Sequence, residues 1–137
     1  PSGTNTGTYT SWAESKADLT PTQCVSASRT LVTVQINLAT PIVTPTVGTY
    51  TFITGTPQGP NAATNTGTGA SYTYSYVGVS PAYGPSTTQP TNAGSYTVTV
   101  TVAADGNFAS GTSSATTFTI NPDAPTGSAA QTFCSGI

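Results

Sequence analysis

The chain is 137 residues long and has a formal net charge of −2, from two basic and four acidic side chains and no histidine. Charged residues are 4% of it, against roughly a quarter in ordinary globular domains. Lys16 and Arg29 are its whole basic inventory, too little to neutralise phosphate, so nucleic acid is excluded as a partner, and the lack of imidazole removes the commonest general base and the usual triads. A disordered chain of low hydrophobicity normally carries high net charge. Here the apolar residues fall in period-2 blocks, which predicts folded all-β structure rather than a mucin-like coil.

Residues 8–13 (TYTSWA) read as a strand, with Tyr9 and Trp12 packing inward across an irregularity. Residues 14–22 are a polar excursion. Residues 25–36 end in the strand LVTVQI, with Val32, Val34 and Ile36 on one face. Residues 40–45 (TPIVTP) hold two prolines and read as a linker into an edge strand, because proline cannot donate to a central ladder. Residues 48–54 (GTYTFIT) predict a strand with Tyr50 and Phe52 on one face, and residues 57–69 read as turn chemistry almost throughout. Residues 71–79 (SYTYSYVGV) place Tyr72, Tyr74 and Tyr76 on one face, and residues 80–91 form a loop with a Tyr-Gly-Pro corner.

The clearest strand is at residues 92–102 (NAGSYTVTVTV). Tyr96, Val98, Val100 and Val102 point one way, and Thr97, Thr99 and Thr101 the other. A turn around Asp105–Gly106 joins it to residues 115–120 (ATTFTI), whose Phe118 and Ile120 supply the partner strand's inner face. Such alternation marks an antiparallel sheet with one buried and one wet face. No stretch has helical periodicity, so the expected fold is an all-β antiparallel sandwich. The stretches before residue 37 and after residue 121 read as partial modules around a complete one. The division is 1–37 as the end of one module, 38–121 as a whole module and 122–137 as the start of the next. The whole would be a segment of a tandem array.

Several groups invite a chemical reading. Glu14 and Asp18 could approach each other as a carboxylate pair, but with Lys16 between them a solvated loop is the better reading. Asp105-Gly106-Asn107 is superficially like part of a calcium loop. Calcium wants six to eight oxygens, usually from several carboxylates, so a turn is expected instead. Gly67 and Gly69 are followed by neither a lysine nor a helix and make no phosphate cradle. The Tyr72, Tyr74 and Tyr76 face is either an aromatic platform for a glycan or part of the core, and core is the favoured reading. The threonine row at 97, 99 and 101 lacks the width of a flat ice-binding plane and is explained by β-propensity. No cofactor, metal or catalytic residue is expected. No apolar run reaches the ~18 residues of a membrane span, and no signal peptide is evident.

Residues 50–61 (YTFITGTPQGPN), 72–76 (YTYSY), 83–102 (YGPSTTQPTNAGSYTVTVTV) and 103–120 (AADGNFASGTSSATTFTI) resemble the MBG-type repeat of bacterial surface adhesins. The Tyr83-Gly84 corner followed by Asn92-Ala93-Gly94-Ser95-Tyr96 is the most specific part. The stretches 24–36 and 125–136 (PTGSAAQTFCSG) resemble the end and the start of an Ig-like module common in giant surface proteins of gliding Bacteroidetes. The resemblance implies a repeat segment of a long secreted cell-surface adhesin. It would be exported by the type 9 secretion system and would serve as a stalk in attachment and gliding motility. Its partners would be neighbouring modules of the same polypeptide, the secretion machinery during export, and a surface polysaccharide or other adhesion target. The alternative is a carbohydrate-binding module of a large secreted enzyme. Cys24 and Cys134 fall in different partial modules, so each is expected to pair outside this chain; two free buried thiols are the alternative.

Overall fold

The computed structural model describes residues 4–13 and 29–124. Among these the protein is all-β, with sheets in a sandwich-like arrangement. A two-stranded antiparallel sheet pairs β1 (Gly7–Ala13) with β2 (Thr30–Ile36). A second pairs β3 (Val43–Thr46) with β5 (Ala62–Asn65). The large sheet has the order β4 (Tyr50–Thr51), β10 (Thr116–Asn121), β8 (Gly94–Val102), β6 (Tyr72–Ser80), β7 (Tyr83–Ser86). The short β9 (Gly111–Thr112) pairs with β8 ahead of β10.

The fold is organised around β8. Tyr96, Val98, Val100 and Val102 alternate inward and are essentially inaccessible to solvent. Phe118 and Ile120 of β10, Tyr76 of β6 and Val43 of β3 complete the buried cluster. The β3–β5 sheet therefore covers the inner face of the large sheet through Val43, with Ala63 of β5 packed beside it. Burying a side chain of this size is worth roughly 1.5–3 kcal/mol, so strict alternation on one nine-residue strand supplies much of the driving force.

Between β9 and β10 the ladder to β8 is continued by one side chain. The Ser113 amide donates to the Val100 carbonyl at 2.9 Å, and the Val100 amide donates to the Ser113 hydroxyl at 3.0 Å. Ser113 is the buried polar residue of the core, and its hydroxyl stands where a strand carbonyl would otherwise be.

At the other edge, β7 folds back on β6 with a register shift between Tyr76 and Gly78. Gly78 lies opposite Tyr96. A Cβ there would collide with the Tyr83 side chain at 2.6 Å, so the missing side chain makes room for Tyr83, whose ring meets Tyr96 edge-on at 6.1 Å. Gly84 turns the chain at φ 71°, where a Cβ would strike the Tyr76 carbonyl. This is the physical content of the Tyr-Gly-Pro corner.

Several local expectations are corrected. The large sheet is not wholly antiparallel, because β4 runs parallel to β10 through Tyr50↔Ile120 and Thr51↔Asn121. The strand expected over 48–54 shrinks to two residues, and the turn-rich 57–69 and 80–91 contain β5 and β7. Both missed strands (AATN and YGPS) lack β-branched runs and are fixed by tertiary pairing rather than propensity. The β1–β2 register is continuous, with no irregularity, so Tyr9 and Trp12 lie on opposite faces and Trp12 is exposed. The turn at Asp105 leads to β9 before β10.

Two substitutions test this account of the core. Ser113→Ala leaves the buried Val100 amide unpaired and is expected to cost about 1–3 kcal/mol. Val100→Ala is expected to cost about 1–3 kcal/mol through lost burial and the cavity left behind. Urea unfolding reads both, and a Val100→Ala loss below about 0.5 kcal/mol, the range of surface sites, would mean that the faces of β8 are reversed.

Candidate functional site

The tyrosine row on β6 faces the core. Tyr72, Tyr74 and Tyr76 stand opposite Val102, Val100 and Val98. Tyr76 is buried, and its hydroxyl donates to the Pro60 carbonyl. Tyr74 stacks on it at 6.3 Å and remains half-buried, as does Tyr72. The Tyr72 hydroxyl accepts a hydrogen bond from Asn65 Nδ2 at 2.6 Å. Asn65 also donates to the Gly69 carbonyl at 2.7 Å and accepts from the Gly67 amide at 2.7 Å. The row is therefore a wall of the core with an open end at Tyr72 and Tyr74, and Tyr76 is not available to a sugar. Burial, and then the neighbouring Tyr74 hydroxyl, push the Tyr76 pKa up to about 12.

The opposite face of the large sheet carries hydroxyls. Thr101 of β8 lies beside Thr73 of β6 and Thr112 of β9, Thr99 beside Ser75, and Thr97 beside Thr117 of β10. Thr101 and Thr112 share a hydrogen bond at 2.9 Å. The row expected on one strand thus extends across neighbouring strands. Its threonines have the β-propensity and tolerance of water that an open sheet face requires.

The turn after β8 is built on Asp105. Its Oδ1 accepts from the amides of Asn107 and Phe108, both at 2.9 Å, and its Oδ2 accepts from the Thr68 hydroxyl. The Asp105 amide donates to the Phe108 carbonyl at 2.9 Å. The Thr68 hydroxyl first, and then the Asn107 amide, hold this carboxyl below the ordinary carboxylate range. The carboxylate oxygens are spent on organising the turn. Among the described residues no group of three or more His, Cys, Asp or Glu could hold a metal ion, and no helix is long and apolar enough to cross a membrane.

Cys24, Cys134, Glu14, Lys16 and Asp18 lie outside the described residues. Sequence reasoning missed Ser113 and Asn107 as structural contacts. For Ser113 no local signal exists, because its partner is on another strand. Asn65 was recoverable from Asn-Thr-Gly, a pattern suited to a side chain bonding the amide two residues on. Comparison with known protein families, with characterised proteins and with solved structures returned no match.

The ionisable groups fix a pH profile. The Asp105 contribution is present above its ordinary carboxylate value and is lost as pH falls through its lowered folded value. The neutral Tyr76 contribution is present below the ordinary tyrosine value of 10.0 and is lost as pH rises toward about 12. Without histidine, melting curves between about pH 6 and 8 are expected to be nearly flat, with declines on the acid and alkaline sides. Added calcium is expected to leave the melting temperature unchanged; a large rise would show that Asp105 and nearby backbone oxygens bind the ion.

Proposed function

We propose that this chain is a repeat segment of a long secreted cell-surface adhesin, acting as a stalk in surface attachment and gliding motility. Residues 38–121 would form one MBG-type module between parts of two Ig-like modules. The observation that carries the reading is the placement of β10. This last strand lies between β4 and β8, hydrogen-bonded to both, and its Phe118 and Ile120 are buried. A pull along such a strand loads two ladders and the core together, which suits an element that bears tension. The polar groups that could do chemistry are engaged structurally: Asp105 in its turn, Tyr76 on Pro60 and Ser113 in the ladder. Adhesion would then come from many weak modules presented together rather than from one strong site. The type 9 secretion machinery, neighbouring modules and a surface polysaccharide are the partners this reading entails.

The half-buried Tyr72 and Tyr74 favour a second reading, a carbohydrate-binding module of a large secreted enzyme. A glycan array on residues 38–121 separates the two. The expected result is a folded monomer with β-type circular dichroism and no tight binding to a single glycan. Tight binding that is lost in Tyr74→Ala would favour the enzyme module, and a random-coil spectrum would sink the boundaries.

A further inference from the structure

The β1–β2 hairpin buries very little. Among its described residues none is buried, and Trp12, Leu31, Val32 and Val34 are exposed. A two-stranded hairpin is marginal in water by itself, so its placement depends on what it touches.

Among the described residues, the chain at its open end bonds to Asn107. All four polar groups of this residue are engaged, and they reach three separate stretches of chain. Its amide donates to Asp105 Oδ1 within its own turn. Its carbonyl accepts from the Ala39 amide at 3.1 Å, and the Ala109 amide returns a bond to the Ala39 carbonyl at 2.8 Å. Its Oδ1 accepts from the Thr6 amide at 2.9 Å, and its Nδ2 donates to Asn5 Oδ1 at 3.2 Å. The Gly106 carbonyl adds a bond from the Thr6 hydroxyl. Thus one turn grips the chain just before β1 and just after β2, at the open end of the hairpin where Gly7 pairs with Ile36.

The turn is itself held from behind. Asp105 is tied to Thr68, the Ser110 hydroxyl donates to the Val102 carbonyl at 2.9 Å, and the Phe108 ring lies over Gly67. On the hairpin side, the Tyr9 hydroxyl donates to the Asn5 carbonyl at 2.8 Å, fixing the gripped segment to β1. The grip thus joins two pre-organised surfaces and costs little side-chain entropy.

We propose that the 105–109 turn is a lock that fixes the β1–β2 hairpin on the sandwich, making the joint at residues 37–39 a rigid elbow instead of a free linker. Asn107 is its central residue. Two segments joined only by a short linker would tumble semi-independently; five hydrogen bonds between the turn and Asn5, Thr6 and Ala39 suppress that motion. The inference concerns the joint alone and holds whatever the chain binds.

The test is backbone ¹⁵N relaxation on the full chain. In the wild type, hairpin amides of β1 and β2 and sandwich amides of β8 and β10 are expected to report one common tumbling time. In Asn107→Ala the R2/R1 ratio of the hairpin amides should fall below that of the sandwich amides, while β8 and β10 chemical shifts stay in place. Asn5→Ala with Thr6→Ala removes the two side-chain bonds on the hairpin side, keeps the Thr6 amide bond and the turn, and should lower the ratio in the same direction by a smaller amount. Separate tumbling times in the wild type, or equal times in both variants, would overturn the proposal.

Discussion

The Phe118 ring is the point on which the structure depends. It stacks on Tyr96 at 5.5 Å and meets Tyr50 and Tyr76 edge-on at 5.7 and 6.2 Å. These rings come from β10, β8, β4 and β6, so one side chain ties four strands of the large sheet together. Offset and edge-to-face pairs of this kind add about 0.5–1.5 kcal/mol beyond the area they bury. The parallel β4–β10 ladder is two residues long and has little strength of its own. Tyr50 packing on Phe118 explains why so short a strand is held there.

A chain with 4% charged residues must satisfy its polar groups with hydroxyls, amides and backbone. Among the described residues every buried side-chain nitrogen or oxygen has a partner. Ser113 completes a ladder, Asn65 closes the β5–β6 loop onto Tyr72, Asp105 organises a turn, and Gln89 donates to the Gly59 carbonyl. Such bonds are short-ranged and insensitive to salt, unlike exposed ion pairs. A fold built this way has a core that ignores ionic conditions and a surface with little long-range field. That property is compatible with the tension-bearing external segment proposed above.

The residues that alternate cleanly were legible in advance. Tyr96, Val98, Val100 and Val102 on one side, Phe118 and Ile120 on the other, are all buried as their period-2 spacing requires. The shared face of Tyr72, Tyr74 and Tyr76 was also legible, but not their gradient of burial, because Tyr76 is covered by Gly59, Pro60 and Phe118 from distant stretches of chain. β5 and β7 were invisible because AATN and YGPS have no intrinsic strand preference; their partners β3 and β6 define them. Residues 40–45 read as a linker into an edge strand, but Val43, Thr44 and Pro45 already belong to β3, whose pairing with β5 places Pro45 opposite Ala63. Asn107 looked like an ordinary turn residue after Asp-Gly. Its reach to Asn5 and Thr6 links residues about a hundred positions apart in sequence, which no local pattern records.

The hub role of Phe118 is open to one direct measurement. Equilibrium urea unfolding of Phe118→Ala, compared with the parent chain, removes the ring that four strands share and leaves the ladders formally intact. The expected result is a loss of about 3–5 kcal/mol, or no cooperative transition at all. A loss below about 0.5 kcal/mol, the level of a surface site, would contradict the account and place the stability of this fold elsewhere.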